Sequence, residues 1–257
     1  MDFMQSGVGT DLPASEELVA EFVSMARTSE PIARYLSAYE TGTFTHRDGR
    51  TDNLGNVRLS PQICAMLSHL SRRCATSLSV EVGFGMGSSA TAILATRTAI
   101  GKPFEHLIFD PYGLDNGQGN IVQAYLREVF GADFKRIPML SEVGLGQLLK
   151  IRGPESVGLV FFDGGHQFEN VTTDFVLADK LCSIGGYIVF DDALYPAIET
   201  VTNYIAANRP DYALSRFPVH NLAVVRKVDQ DRRKWWSFRP FEVPDRHDWT
   251  AKPLMKS

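Results

Sequence analysis

Apolar residues change their spacing along this chain. Between residues 15 and 40, Leu18, Val19, Phe22 and Val23, then Ile32, Tyr35 and Leu36, recur at helical intervals, with Pro31 dividing them into two helices. Ser60-Pro61 reads as an N-cap followed by proline at the first helical position, opening a helix to about residue 72. Short apolar runs then take over: LSVEVGF (78–84), HLIFD (106–110), VGLVFFD (157–163), GYIVFDD (186–192) and NLAVVRKV (221–228). Runs of that length and composition predict strands covered on both faces. Helical segments at 88–100, 118–130, 170–182 and 194–208 separate them, and FKRIPML (134–140) and YALSRF (212–217) predict further strands. Strand, helix, strand repeated in this way gives an α/β sheet with right-handed crossovers.

Two stretches fall outside the alternation. TGTFTHRDGRTDNLGN (41–56) is rich in turn residues with almost nothing to bury, and is expected to be either mobile or functional, with a lid over the cofactor as the functional form. After Val228, RRKWWSFRPFEVP is expected to wrap the surface, with Trp235 and Trp236 packing it onto the core. The chain therefore divides into N-terminal helices and loop (1–56), an α/β domain (57–228) and a tail (229–257).

Composition narrows the class without changing the fold. The 257 residues are 44% hydrophobic and 22% charged, ordinary for a soluble protein. A net charge of −4 gives no reason to expect a nucleic-acid partner. No apolar run reaches the ~20 residues that span a bilayer. MDFMQSGVGTDLP lacks the basic start and apolar core of a signal peptide. Cys64, Cys74 and Cys182 are odd in number and lack CxxC spacing. Reduced thiols in a cytoplasmic protein are the expectation.

The chemistry gathers at strand ends. Gly83, Gly85 and Gly87 stand between a strand and a helix, where glycine lets backbone turn sharply and approach a ligand. A dinucleotide fingerprint would require glycine at Ser88, so a nucleoside without a cradled pyrophosphate suits the loop better. Asp110, ending the next strand, can accept both hydroxyls of a ribose, or cap the turn before Pro111. Asp163 ends one later strand, and Asp191 and Asp192 end its successor. Neighbouring strands lie ~4.8 Å apart, so the three carboxylates can converge and repel unless a hard cation such as Mg²⁺ neutralises them. Asp163 as a turn acid, Asp192 as a helix cap and His166 as a loop hydrogen-bonder are the structural alternatives. Glu169 and Asp174 are expected on a solvated helix face.

EVGFGMGSS followed by LIFDPYG resembles motif I and the following acid of class I S-adenosylmethionine-dependent methyltransferases. VGLVFFDGGHQFENVTTDFVLADKLCSIGGYIVFDDALYPAI is similar to small-molecule methyltransferases with an Asp-Gly-x-His element before a Gly-Gly strand ending in Asp-Asp. The resemblance covers about residues 57–228. It implies a Rossmann-like, seven-stranded, mostly parallel sheet with helices on both faces and an antiparallel final strand. It places Glu81, Gly83, Gly85 and Gly87 along the methionine part of S-adenosylmethionine, Asp110 at the ribose and Ser141 near the adenine. It makes Asp163, Asp191 and Asp192 the ligands of a divalent metal. Catechol-type relatives carry a lysine base where this chain has His166, and sugar O-methylating relatives carry an aspartate where it has Gly165. His166 is thus the candidate base, with an unperturbed pKa of ~6.5 suited to the task.

The implied activity is metal-assisted O-methylation of a small molecule. A metal-independent N- or C-methyltransferase and a non-catalytic cofactor-binding protein of the same fold are the alternatives. A nicotinamide oxidoreductase is disfavoured by Ser88. The acceptor pocket is expected from the 41–56 loop, PYGLDNGQG after Asp110, Tyr195 and the Trp235-Trp236 tail. No membrane or nucleic-acid partner is expected. The acceptor's identity and any self-assembly are left open.

Overall fold

A computed structural model describes residues 15–55, 57–112 and 119–245. The chain opens with helices α1 (Ser15–Ser24) and α2 (Glu30–Thr41), divided by a short 3-10 turn at Met25–Arg27, with Pro31 inside the first turn of α2. A hairpin of β1 (Thr43–Thr45) and β2 (Thr51–Asn53) precedes α3 (Pro61–Arg73). Ser60 caps α3 as expected, its Oγ accepting from the Ile63 N–H at 3.4 Å. There follow β3 (Leu78–Val82), α4 (Ser88–Ala99), β4 (Glu105–Phe109), α5 (Asn120–Phe130), β5 (Phe134–Ile137), α6 (Ser141–Arg152), β6 (Val157–Phe162) and α7 (Phe168–Leu181). The remaining elements are β7 (Cys182–Phe190), α8 (Pro196–Asn208), β8 (Tyr212–Phe217) and β9 (Leu222–Lys227).

The seven strands lie in the order β5-β4-β3-β6-β7-β9-β8. Pairings from β5 through β7 are parallel, and β9 runs against both its neighbours. Chain order reverses beside β3, whose crossovers lead to β4 on one side and, later, to β6 on the other. In open α/β sheets that point, at the carboxyl ends of the strands, is where ligands bind.

Successive side chains on a strand point to opposite faces, and the core divides accordingly. Ile108, Leu159, Phe161, Val189 and Val224 face the cluster that includes α3, α4 and α5. Val80, Val82, Val160, Phe162 and Ile188 face the cluster with α6, α7 and α8. The N-terminal elements join the first cluster through Phe22, Ile32, Tyr35, Phe44 and Leu54. Each buried side chain of this size contributes ~1.5–3 kcal/mol.

Three expectations are corrected, and one further helix appears. Residues 43–53 form a hairpin, and Phe44, His46 and Leu54 in this stretch are buried. Residues 141–152 are a helix that glycine had obscured, and a Cβ on Gly144 would lie 2.3 Å from the Phe109 ring, so α6 and β4 approach too closely for a side chain there. Asp174 is buried, 3% exposed, whereas Glu169 is exposed. Trp235 and Trp236 are 91% and 61% exposed, packing edge to face on each other rather than on the core. The tail itself follows α8, where Asn208 bonds the backbone of Arg239 in both directions and Asn203 donates to the Glu242 carbonyl. Among the described residues no helix is long and apolar enough to cross a membrane, and all three cysteines are free thiols.

Candidate active site

Backbone hydrogen bonds align the strand ends. The Asp110 N–H donates to the Ile137 carbonyl (3.1 Å), Gly83 to Phe109 (2.9 Å), Asp163 to Val82 (2.9 Å) and Asp191 to Phe162 (3.0 Å). In each pair the residue just past one strand bonds the last residue of its neighbour. Asp110, Gly83, Asp163 and Asp191 therefore stand in one row, in sheet order, at the switch point.

Gly83, Gly85 and Gly87 all have positive φ, at 86°, 48° and 70°. A Cβ on Gly83 would lie 2.1 Å from the Asp163 carbonyl oxygen, so the glycine loop and the Asp163 turn touch backbone to backbone. On the other side of the loop, Val57 packs against Gly85. Beyond Gly87 begins α4, whose first-turn N–H groups have no intrahelical partners and favour electron-rich ligand atoms.

Asp110 is 5% exposed, and both its oxygens are engaged. Oδ2 accepts from the Phe84 N–H (3.1 Å) and from Arg136 Nη2 (2.9 Å). Oδ1 accepts from the Tyr112 N–H (3.0 Å), a turn beside Pro111. Glu81, 1% exposed, sits below the loop, accepting from Ser89 Oγ at 2.5 Å and paired with His106 Nε2 at 2.9 Å. Ser141 opens α6 on the opposite face of the sheet core, where it bonds the Asp174 carboxyl. That carboxyl is pushed up to about 6 by burial, against the Ser141 hydrogen bond.

On the far side of the row, Asp163 is half-buried. Burial first, then the facing charges of Asp191, Glu81 and Asp192, push its carboxyl well above the usual range, and it shares a hydrogen bond with Asp191. A single proton between two such carboxyls relieves their repulsion. Asp192 has a left-handed backbone (φ 51°) and does not cap α8 with its side chain. Its Oδ1 accepts from Asn221 Nδ2 at 2.5 Å, and its Oδ2 lies 3.4 Å from His166 Nε2. Asn221 also accepts from the Leu194 N–H through its side chain and from Ala193 through its carbonyl, holding the loop after β7 from the start of β9. His166 packs edge to face on Tyr195, ring centroids 5.1 Å apart.

Carboxylate oxygens of this kind are the donors that suit a hard cation. Among the described residues, however, no three His, Cys, Asp or Glu side chains are grouped to hold a metal. The structure thus brings Gly83, Gly85, Gly87, Asp110, Asp163, Asp191, Asp192 and His166 to one edge, buries Glu81 beneath it and sets Ser141 in a helix contact. Arg136, Gln123 and Asn221 escaped the sequence reading. Arg136 alone had a signal, being a charged residue in phase with buried Phe134 on β5. Within PYGLDNGQG, residues 113–118 lie outside the described residues, as does residue 56 of the lid-like loop.

Residues 80–193 match the model of a family described as a methyltransferase domain. An uncharacterized protein of Acanthamoeba polyphaga mimivirus is 35% identical over 151 residues, 54% of this chain and 65% of the relative, so the match spans just under two thirds of that relative. A protein of Corynebacterium glutamicum shares the fold, with a TM-score of 0.60 and 18% identity over 86% of this chain and 100% of the other. So does an O-methyltransferase from Bacillus cereus solved in complex with SAH (S-adenosylhomocysteine), with a TM-score of 0.58 and 14% identity over 83% and 100% of the two chains. The matched segment runs from mid-β3 to the turn after β7, and the seven-stranded fold around it is the one that these structures share.

Proposed function

We propose that this protein is an S-adenosylmethionine-dependent methyltransferase acting on a hydroxyl of a small molecule in the cytoplasm. The observation that carries the reading is the backbone contact between Gly83 and the Asp163 turn, which sets the glycine loop directly beside an acid and histidine cluster. The cofactor would supply an electrophilic sulfonium methyl group. Methyl transfer then asks the chain to align the acceptor and to take one proton. Asp110 and the glycine loop hold the cofactor. His166 accepts the acceptor's proton, with Asp192 orienting its ring and stabilising the cation that forms. Were a divalent ion held by Asp163, Asp191 and Asp192, it would acidify the acceptor hydroxyl.

A second, metal-free reading is favoured by one observation: Asp192 is turned to Asn221 and His166, as an acid that supports a base. The experiment is calorimetric titration with S-adenosylhomocysteine and NAD, followed by methyl transfer to a panel of catechols and sugar hydroxyls with and without EDTA. Binding of S-adenosylhomocysteine but not NAD is expected, and preference for NAD would overturn the assignment. Full activity in EDTA and in Asp191→Ala would leave the metal-free reading.

A further inference from the structure

Asp110 was expected to accept both ribose hydroxyls, and its surroundings point elsewhere. A carboxylate offers about four acceptor positions, roughly two on each oxygen. On Oδ2 both are taken, by the Phe84 N–H and by Arg136 Nη2. On Oδ1 one is taken, by the Tyr112 N–H. Among the described residues a single acceptor position is left, and it is on Oδ1.

Arg136 is not placed to give way. It is 9% exposed, its Nη1 donates to Gln123 Oε1 at 2.9 Å, and Gln123 is itself 3% exposed on α5. The guanidinium carbon stands 4.4 Å from the centroid of the Phe84 ring, in the glycine loop. Asp110, Gln123 and Phe84 thus hold one planar group from β4, α5 and the loop after β3. Charge-assisted bonds to a buried guanidinium are stronger than those a neutral hydroxyl offers, so a ribose does not displace it.

We infer that Arg136 saturates Oδ2 of Asp110, so that this acid reads one ribose hydroxyl rather than two, and that Arg136 is the positioning residue imposing the choice. The inference rests on the cofactor reading proposed above. The chemistry is that of a nucleoside held by one hydroxyl at Oδ1, with the other hydroxyl free of Asp110.

The test is calorimetry with S-adenosylhomocysteine and with its 2′-deoxy and 3′-deoxy analogues. In the native protein one analogue is expected to lose about ten-fold or more in affinity and the other to stay within about threefold of the parent. Equal losses for both analogues would overturn the inference while leaving the cofactor reading intact. Failure of the parent compound to bind would instead remove the cofactor reading. Arg136→Met and the milder Arg136→Lys are expected to bring the two analogues closer together in affinity, as Oδ2 becomes available. A merely structural role for Arg136 would weaken all three ligands alike and keep their ratio, which also counts against the inference.

Discussion

Replacing Gly83 with alanine tests the contact on which the site depends. Two costs arise from the structure. The residue has φ 86°, where a Cβ costs roughly 1–2 kcal/mol. The new methyl would lie 2.1 Å from the Asp163 carbonyl oxygen and 2.8 Å from its carbonyl carbon, so backbone must separate by about 1 Å to reach ordinary contact. Forced shifts of that kind add ~1–3 kcal/mol. The sum, roughly 2–5 kcal/mol, corresponds to a melting temperature lower by about 5–15 °C for a chain of this size. Gly85→Ala is the control. Its φ of 48° is ordinary for the left-handed region, and its nearest neighbour is the movable Val57 side chain at 3.3 Å, so only about 1 kcal/mol is expected. Thermal melts and titration with S-adenosylhomocysteine read both effects. Gly83→Ala should lose on the order of ten-fold or more in affinity, because the glycine loop and the Asp163 turn no longer meet. If Gly83→Ala binds within about threefold of the native protein and melts within about 2 °C of it, the reasoning is refuted.

Two further outcomes follow from the fold around the site. Asp174 is buried between α6 and α7 with its carboxyl pushed up to about 6, from an ordinary 3.8. Below about pH 3 the acid is neutral in both folded and unfolded chains, and as pH rises through about 6 the folded chain must hold a buried charge. Stability is therefore lost on raising the pH, and Asp174→Asn should exceed the native protein by about 3 kcal/mol at pH 7.5 but by almost nothing at about pH 3. Urea unfolding at the two pH values checks this, and an equal gap at both would count against it. Asp52 Oδ2 accepts from the Ile121 and Val122 N–H groups, so the β2 hairpin strand caps the N-terminus of α5. Asp52→Ala should cost ~1 kcal/mol and Asp52→Asn only a few tenths, by the same unfolding measurement.

Much of this protein was legible along the chain because strand and helix periods are local properties. The alternation of short apolar runs with amphipathic segments specified the α/β sheet. Acids and glycines placed just after apolar runs marked the ligand edge, since strand ends in parallel sheets share one side. Where local signals conflicted, the reading failed. Two glycines hid α6, and only the Phe109 ring pressed against Gly144 explains one of them. Turn residues hid the hairpin, whose Phe44 and Leu54 find a core only when the N-terminal helices fold onto the sheet.

What tertiary structure alone decided is which atoms of the predicted residues remain available. Asp110 and Arg136 are joined by strand register, since β4 pairs with β5, and that pairing occupies Oδ2 of the acid with a guanidinium. Asp192 and Asn221 meet because β7 and β9 are neighbours, and the meeting turns a candidate metal ligand toward His166. The sequence by itself determined the sheet, the glycine loop and the row of acids. Partners for those acids lie across strands, and no spacing along the chain encodes a hydrogen bond made between them.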